Sequence, residues 1–279
     1  MAVPIKTDDP TLALSITGRP YCKTLYPQFP AGDEMPADMI LDIACAAEEA
    51  GFRRLLLTGT EPLRHPEILD TCYGISRSTH FAELGISTDG GPLYNMAPTL
   101  KSAGVNLLEI RLDTLQSVKY EFISGGKMAD VRRGILSAER TGFLIRIMTR
   151  LMGGVNGDEV YDFCDLVKHH CFEQWFIELP ESSDAYLDGG SLLAARRRLK
   201  ELESRNGVRR FRVDGDPGII CLTTAEKMAR ICISASGELF SHGRCIDLAP
   251  LSHAARCEQL RAALEPEKAA AFSFQIVEE

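Results

Sequence analysis

Leu14-Ser15-Ile16-Thr17-Gly18-Arg19-Pro20-Tyr21-Cys22-Lys23-Thr24-Leu25-Tyr26-Pro27 opens on an apolar, β-branched run and breaks at Gly18 into a loop. The same change, from strand-forming residues to a turn, recurs along the chain. It is seen at Leu57-Thr58-Gly59-Thr60-Glu61-Pro62-Leu63, at Ile86-Ser87-Thr88-Asp89-Gly90, and at Arg111-Leu112-Asp113-Thr114-Leu115. Working outward, strands are expected over residues 12–17, 54–58, 83–88, 107–113, 144–151 and 174–179. Helices are expected over 36–51, 65–79, 95–104, 127–141 and 157–170, with Asn156-Gly157-Asp158 as a start and Gly142 as a stop. Strands alternating with helices at this spacing imply parallel strands joined by right-handed crossovers. The expected fold class is therefore α/β, a partial (β/α)6 barrel of TIM type over residues 1–181.

Residues 182–279 change character and are expected to form a small α+β extension packing on that barrel. Residues 189–205 read as a helix with Leu192, Leu193, Leu199 and Leu202 on its apolar stripe. Residues 209–213 and 231–240 read as strands, the second with a turn at Ala235-Ser236-Gly237.

Composition narrows the function. The chain has 279 residues, 45% hydrophobic and 25% charged, enough to bury a full core. Its formal net charge of −8 argues against a general nucleic-acid binder, which needs a basic surface. With no signal peptide, membrane-length apolar run or low-complexity tract, the chain reads as soluble and cytoplasmic. Nine cysteines form no C-x-x-C pair and read as reduced thiols.

Alternation along the strands places charge inside the barrel. On the fourth strand Glu109, Arg111 and Asp113 share a face opposite Leu108, Ile110 and Leu112. On the fifth, Arg146, Met148 and Arg150 lie opposite Ile145 and Ile147, and on the sixth Glu178 is expected to face inward. Unpaired buried charges cost several kcal/mol each, so these groups must be paired, hydrated or bound to something. One reading is an internal ion-pair network, with Arg111 joined to Asp113, Glu109 or Asp89 and Arg146 to Glu178. The other is a pocket for a small anionic ligand, with Glu109, Asp113, Arg146 and Glu178 as candidate catalytic residues.

The order of these segments resembles the radical S-adenosylmethionine (SAM) superfamily, and in particular the GTP 3′,8-cyclase (MoaA) family of molybdenum cofactor synthesis. In that family three cysteines of the first loop hold a [4Fe–4S] cluster through their thiolates. The matching positions here are Pro20, Thr24 and Pro27. Gly59-Thr60-Glu61-Pro62 stands where the family has G-G-E-P, whose backbone holds the amino group of SAM. Ser87-Thr88-Asp89-Gly90 stands for T-T-N-G, and Arg111-Leu112-Asp113 for S-L-D, whose serine contacts SAM. The resemblance thus implies Gly59, Thr60, Glu61, Pro62, Thr88 and Arg111 as cofactor-binding positions.

Further matches are Gly154-Val155-Asn156-Gly157-Asp158-Glu159, Ile177-Glu178-Leu179-Pro180, Ala229 to Leu239 and Ile246-Asp247-Leu248. The second-cluster cysteines are replaced at Ala225 and Met228, with the third replaced or deleted near Ser241 and His242. The tail Gln275-Ile276-Val277-Glu278-Glu279 takes the place of Q-I-G-G.

Because these modules are altered together, the expectation is a MoaA-like scaffold without a [4Fe–4S] cluster or radical chemistry. Such a protein would bind a nucleotide, a SAM-like metabolite or a protein partner. The alternatives are non-radical chemistry in the charged lumen, or a radical enzyme with a non-standard cluster using Cys22. Cys221, Cys232, Cys245 and Cys257, aided by His242 and His253, are a candidate metal set without the usual C-x-x-C element. The basic run Arg196, Arg197, Arg198, Lys200, Arg205, Arg209, Arg210 and Arg212 reads as a solvated helix face with Glu201 and Glu203 as partners.

Overall fold

A computed structural model describes residues 10–18, 34–168, 170–196, 199–202, 204, 207–213, 215–224, 231–241 and 244–264. Six strands follow the chain in spatial order: β1 (Thr11–Thr17), β2 (Arg54–Gly59), β3 (Glu83–Thr88), β4 (Leu107–Arg111), β5 (Leu144–Leu151) and β6 (Glu173–Glu178). All five pairings among them are parallel. The connecting helices are α1 (Ala37–Ala50), α2 (Ile68–Ser78), α3 (Leu93–Ser102), α4 (Ser117–Ser124), α5 (Met128–Thr141) and α6 (Val160–Leu166). The expected partial barrel is the observed one.

The outer face of the strands carries the apolar core. Leu12, Leu14, Leu55, Leu57, Ile86, Leu108, Ile110, Ile145 and Ile147 join Ile40 and Ile43 of α1 and Cys72 and Ile75 of α2 in one buried cluster. α1 and α5 both stop at a glycine in the left-handed region, Gly51 and Gly142. Such a residue lets the chain turn back while its N–H reaches the last free carbonyls.

The C-terminal region supplies both edges of the same sheet. β9 (Ile219–Thr224) lies parallel to β6, followed outward by β8 (Arg209–Val213) and β7 (Leu199–Glu201), both antiparallel. At the other edge β10 (Ile231–Ile233) lies parallel to β1, followed by β11 (Glu238–Ser241) and β12 (Arg244–Asp247). A helix α7 (Gly189–Ala194) precedes β7, and α8 (His253–Ala263) returns to pack on α1.

Three local expectations are corrected. The helix expected over 189–205 ends at Ala194, because residues 199–201 pair with β8 and the Leu202 N–H donates to the Arg210 carbonyl at 2.7 Å. The basic run therefore lies partly on a hairpin, where Arg209 pairs with Glu201 at 2.9 Å. Asn156 does not cap a helix: its side chain bonds Met152 N–H and the carbonyls of Asp113 and Arg150, and α6 begins after a 3-10 turn at Gly157–Glu159. The sixth strand is turned over. Arg146 pairs with Glu173 and Ile147 with Gln174, and side-by-side partners share a face. Glu173 and Trp175 consequently face the lumen, while Phe176 and Glu178 face the helices.

Candidate functional site at the barrel mouth

The carboxyl ends of β2, β3 and β4 bring the sequence-matched residues together. β2 ends at Gly59 with φ 126°, and a Cβ there would stand 2.3 Å from the Thr17 carbonyl oxygen. Only glycine lets the chain pass so close to β1. Thr60 then donates to that carbonyl from its N–H at 2.9 Å and from its hydroxyl at 3.0 Å. The tip of β2 is thereby tied to the strand that leads into the first loop.

Glu61 is fully buried beneath this turn. Its carboxylate accepts from Thr88 Oγ1 at 2.8 and 2.9 Å, from Asp89 N–H at 2.9 Å and from Leu63 N–H at 3.1 Å. Burial, reinforced by the Asp89 charge and opposed by Arg111, pushes its carboxyl up to about 7. A similar clamp stands at the end of β4. Buried Glu159 accepts from Thr114 Oγ1 at 2.8 and 2.9 Å and from Leu115 N–H at 2.7 Å, and pairs with Lys119 at 3.0 Å. Each glutamate thus fastens the loop that leaves a strand at the mouth.

Arg111 spans the mouth itself. Its Nε donates to Asp89 at 2.9 Å, Nη1 to the Gly59 carbonyl at 2.7 Å, and Nη2 to the Thr60 carbonyl. The planar guanidinium suits three converging acceptors of this kind. Beside it Asp113 accepts from Arg150, from the backbone N–H at 2.9 Å and from the guanidinium.

Below the mouth lies a separate network. Arg146 meets Glu173 at 2.9 Å, Glu83 at 3.3 Å and Glu109 at 3.6 Å, and Glu83 also meets Arg54 at 3.5 Å. Burial works against the Arg146 charge, but these carboxylates outweigh it and raise its pKa further. Trp175 donates to Glu173 at 3.0 Å and lies under the Arg146 guanidinium.

Of the four catalytic candidates, Glu109 and Arg146 are therefore partners of one another, and Asp113 is paired with Arg150. Glu178 leaves the lumen and accepts the Gly189 N–H at 2.9 Å at the start of α7. Arg111 does pair with Asp89, one of the expected partners, whereas Arg146 pairs with Glu173 rather than Glu178. Sequence reasoning does not find Glu83, Glu173 or the Thr114–Glu159 clamp, whose partners lie in other strands or loops. An outer cavity of about 450 Å³ adjoins the Glu61–Pro62 turn and is lined by Leu63, Arg64, Tyr94, Asn95, Asp130 and Arg133 among others.

A family model described as the radical SAM superfamily matches residues 20–167, more than half of the chain. The chain belongs to the radical SAM superfamily. Within it, similarity runs to the MoaA-like proteins. A GTP 3′,8-cyclase of Peptoclostridium acidaminophilum is 33% identical over 177 residues, covering 60% of this chain and 54% of that protein. A probable GTP 3′,8-cyclase of Archaeoglobus fulgidus is 29% identical over 194 residues, covering 62% and 63%. Molybdenum cofactor biosynthesis protein 1 of Bos taurus is 31% identical over 176 residues, covering 60% and 28%. The chain spans about half the length of the first of these relatives.

Among solved structures, native anSMEcpe with bound AdoMet superposes with a TM-score of 0.52 at 11% identity, covering 87% of this chain and 76% of that one. Streptococcus suis SuiB bound to precursor peptide SuiA gives 0.52 at 14% identity, covering 60% and 39%. At such identities the likeness concerns the fold alone.

The superfamily implies a cluster and SAM. Pro20, Thr24 and Pro27, the residues that the resemblance sets against the cluster cysteines, lie outside the described residues, as do Ala225, Met228, His242 and the tail at 275–279. By residue type the first three offer no thiolate, so this donor set does not fit a [4Fe–4S] centre. The carbonyls of Gly59 and Thr60, in the segment that the resemblance sets against the one receiving the SAM amino group, each accept a hydrogen bond from Arg111. Among the described residues no helix is long and apolar enough to cross a membrane.

Proposed function

We propose that this chain is a MoaA-like member of the radical SAM superfamily that has given up cluster-dependent cleavage of SAM. In this reading it acts by binding an anionic small molecule, a nucleotide being the favoured class. One observation carries the reading: the Arg111 guanidinium donates to the Gly59 and Thr60 carbonyls while its charge is balanced by Asp89. A cation built into the fold sits where the resemblance would place the cationic amino group of a ligand. Arg111 and Asp89 stand where the family pattern has serine and asparagine, and together they supply the cation and its counter-charge. The replacement of all three cluster cysteines agrees with it.

Support for a remaining small-molecule role comes from the cavity beside the Glu61–Pro62 turn, whose size falls in the range of ligand pockets, roughly 300–1,000 Å³. Arg64 lines it, and Arg133, paired with Asp130, lies over the half-exposed Tyr94 ring at 4.9 Å, so a phosphate would have to displace the Asp130 carboxylate from that guanidinium. The charged lumen gives less support to acid–base catalysis, since each of its candidate carboxylates has a cation or N–H partner.

Calorimetry with GTP and with SAM tests this reading. Binding of GTP weakened by Arg64→Ala, without turnover, is the expected result. Conversion of GTP, or formation of 5′-deoxyadenosine from SAM by the reduced protein, would overturn it in favour of an active cyclase, the reading suggested by the names of the relatives.

A further inference from the structure

α1 and α8 are joined by several polar side chains as well as by packing. On α8, His253 and Cys257 are four residues apart and project from one face. On α1, Glu49 faces both. Its Oε1 lies 3.3 Å from His253 Nε2, and its Oε2 lies 3.4 Å from Cys257 Sγ. One nitrogen, one sulfur and one carboxylate oxygen all fall within 4.8 Å of each other. The two helices are more than 200 positions apart in the chain.

The other imidazole nitrogen is committed. His253 Nδ1 lies 2.8 Å from Asp42 Oδ1, so Nδ1–H is the donor and Nε2 is left for the cluster. Asp42 is held in turn by Arg256, which also donates to the Leu248 and Ala249 carbonyls at 2.9 Å. A carboxylate behind the imidazole is the arrangement that fixes the tautomer of metal-bound histidines. An imidazolium bridging Asp42 and Glu49 accounts for the histidine alone. The Cys257 thiol donates to the other oxygen of the same carboxylate, so a nitrogen, a sulfur and an oxygen donor converge where hydrogen bonding of the histidine alone needs only the two carboxylates.

We propose that Glu49, His253 and Cys257 form a site for a borderline-soft divalent cation of the zinc class, clasping the C-terminal helix to the first helix of the barrel. Thiolate and imidazole together select such ions over magnesium or calcium. Glu49 is exposed and His253 half-buried, so water completes the coordination. Binding releases the Cys257 thiol proton and any Nε2 proton to solvent. The set expected from sequence is thereby revised. Cys221 on β9 and Cys232 on β10 lie at opposite edges of the parallel strands, and Cys257 finds its partners on α1 instead. This site is independent of the reading of the barrel mouth.

The test uses the full chain, stripped with a chelator and titrated with Co²⁺. The expected result is one equivalent bound, with a thiolate-to-cobalt charge-transfer band that Zn²⁺ abolishes. Cys257→Ser should remove the band and Cys245→Ser should keep it. Asp42→Asn should weaken affinity by about 10- to 100-fold. Glu49→Gln, at an exposed position that folding tolerates, should weaken binding while keeping the band. Absence of a thiolate band in the unmodified chain would overturn the proposal. So would a band that survives Cys257→Ser, or one lost only in Cys22→Ser, which would place the metal in the first loop.

Discussion

Arg111 reaches back from the end of β4 to the tip of β2, donating from Nη1 to the Gly59 carbonyl at 2.7 Å. With Asp89 and the Thr60 carbonyl it closes a bridge over three strand ends. The bridge is a structural tie and, in the proposed reading, also a plug, and mutation can separate the two roles.

Replacing Arg111 by serine, the residue of the family pattern, should unplug the mouth. Removing one partner of a largely buried ion pair costs about 3–5 kcal/mol, so the thermal midpoint should fall. SAM affinity should rise by about 10- to 100-fold, the worth of a charge-assisted hydrogen bond regained by the ligand's amino group. Arg111→Lys should recover part of the stability and none of the SAM binding. Calorimetry and thermal melts check both.

Glu61 should give the fold a pH dependence of opposite sign to that of most carboxylates. The unfolded carboxyl titrates near 4.5 and the folded one about 7. Between those values the folded chain holds the extra proton. The contribution is therefore full below pH 4.5 and is lost as pH rises through 7, a change of order a few kcal/mol. Denaturant melts at about pH 5 and about pH 7.5 should show a larger loss for the native chain than for Glu61→Gln, which cannot ionise. Equal losses would contradict the assignment.

Arg146→Ala should collapse stability rather than binding. It leaves Glu83, Glu109 and Glu173 facing one another in the lumen, at a cost of about 3–5 kcal/mol. A stable variant with weakened nucleotide binding, seen by melt and calorimetry, would restore the lumen as the pocket.

What can be read from sequence follows from where each constraint lies. β4 is legible because Leu108, Ile110 and Leu112 alternate cleanly with Glu109, Arg111 and Asp113, leaving one assignment of faces. Glu173-Gln174-Trp175-Phe176-Ile177-Glu178 has no such alternation, and its face is set by the Arg146–Glu173 contact, which is information from another strand. The segment at 199–202 carries a helical stripe in isolation, yet pairing with β8 satisfies its backbone better. α4 escapes a periodicity reading because Val118 and Phe122 are exposed and blur its apolar stripe. Of the candidate site, the rim motifs are visible as motifs, but the direction of Arg111 is not. Its three acceptors lie 22 to 52 residues away in the chain.

Gly59→Ala should destabilise the tip of β2 by more than the about 1–3 kcal/mol of a residue forced into sparsely populated backbone space, since a steric overlap adds to that strain. The added Cβ would meet the Thr17 carbonyl oxygen at 2.3 Å. Hydrogen exchange should report faster opening at Thr60, whose N–H is bonded to that carbonyl, before any change in the helices.

The central claim is that this chain keeps the scaffold of the radical SAM superfamily without its cluster chemistry. Iron and acid-labile sulfide per chain, measured after strictly anaerobic reconstitution, test it most directly. No stoichiometric iron–sulfur is expected at a loop that carries Pro20, Thr24 and Pro27. A stoichiometric cluster whose spectrum responds to SAM would contradict it and restore the enzyme.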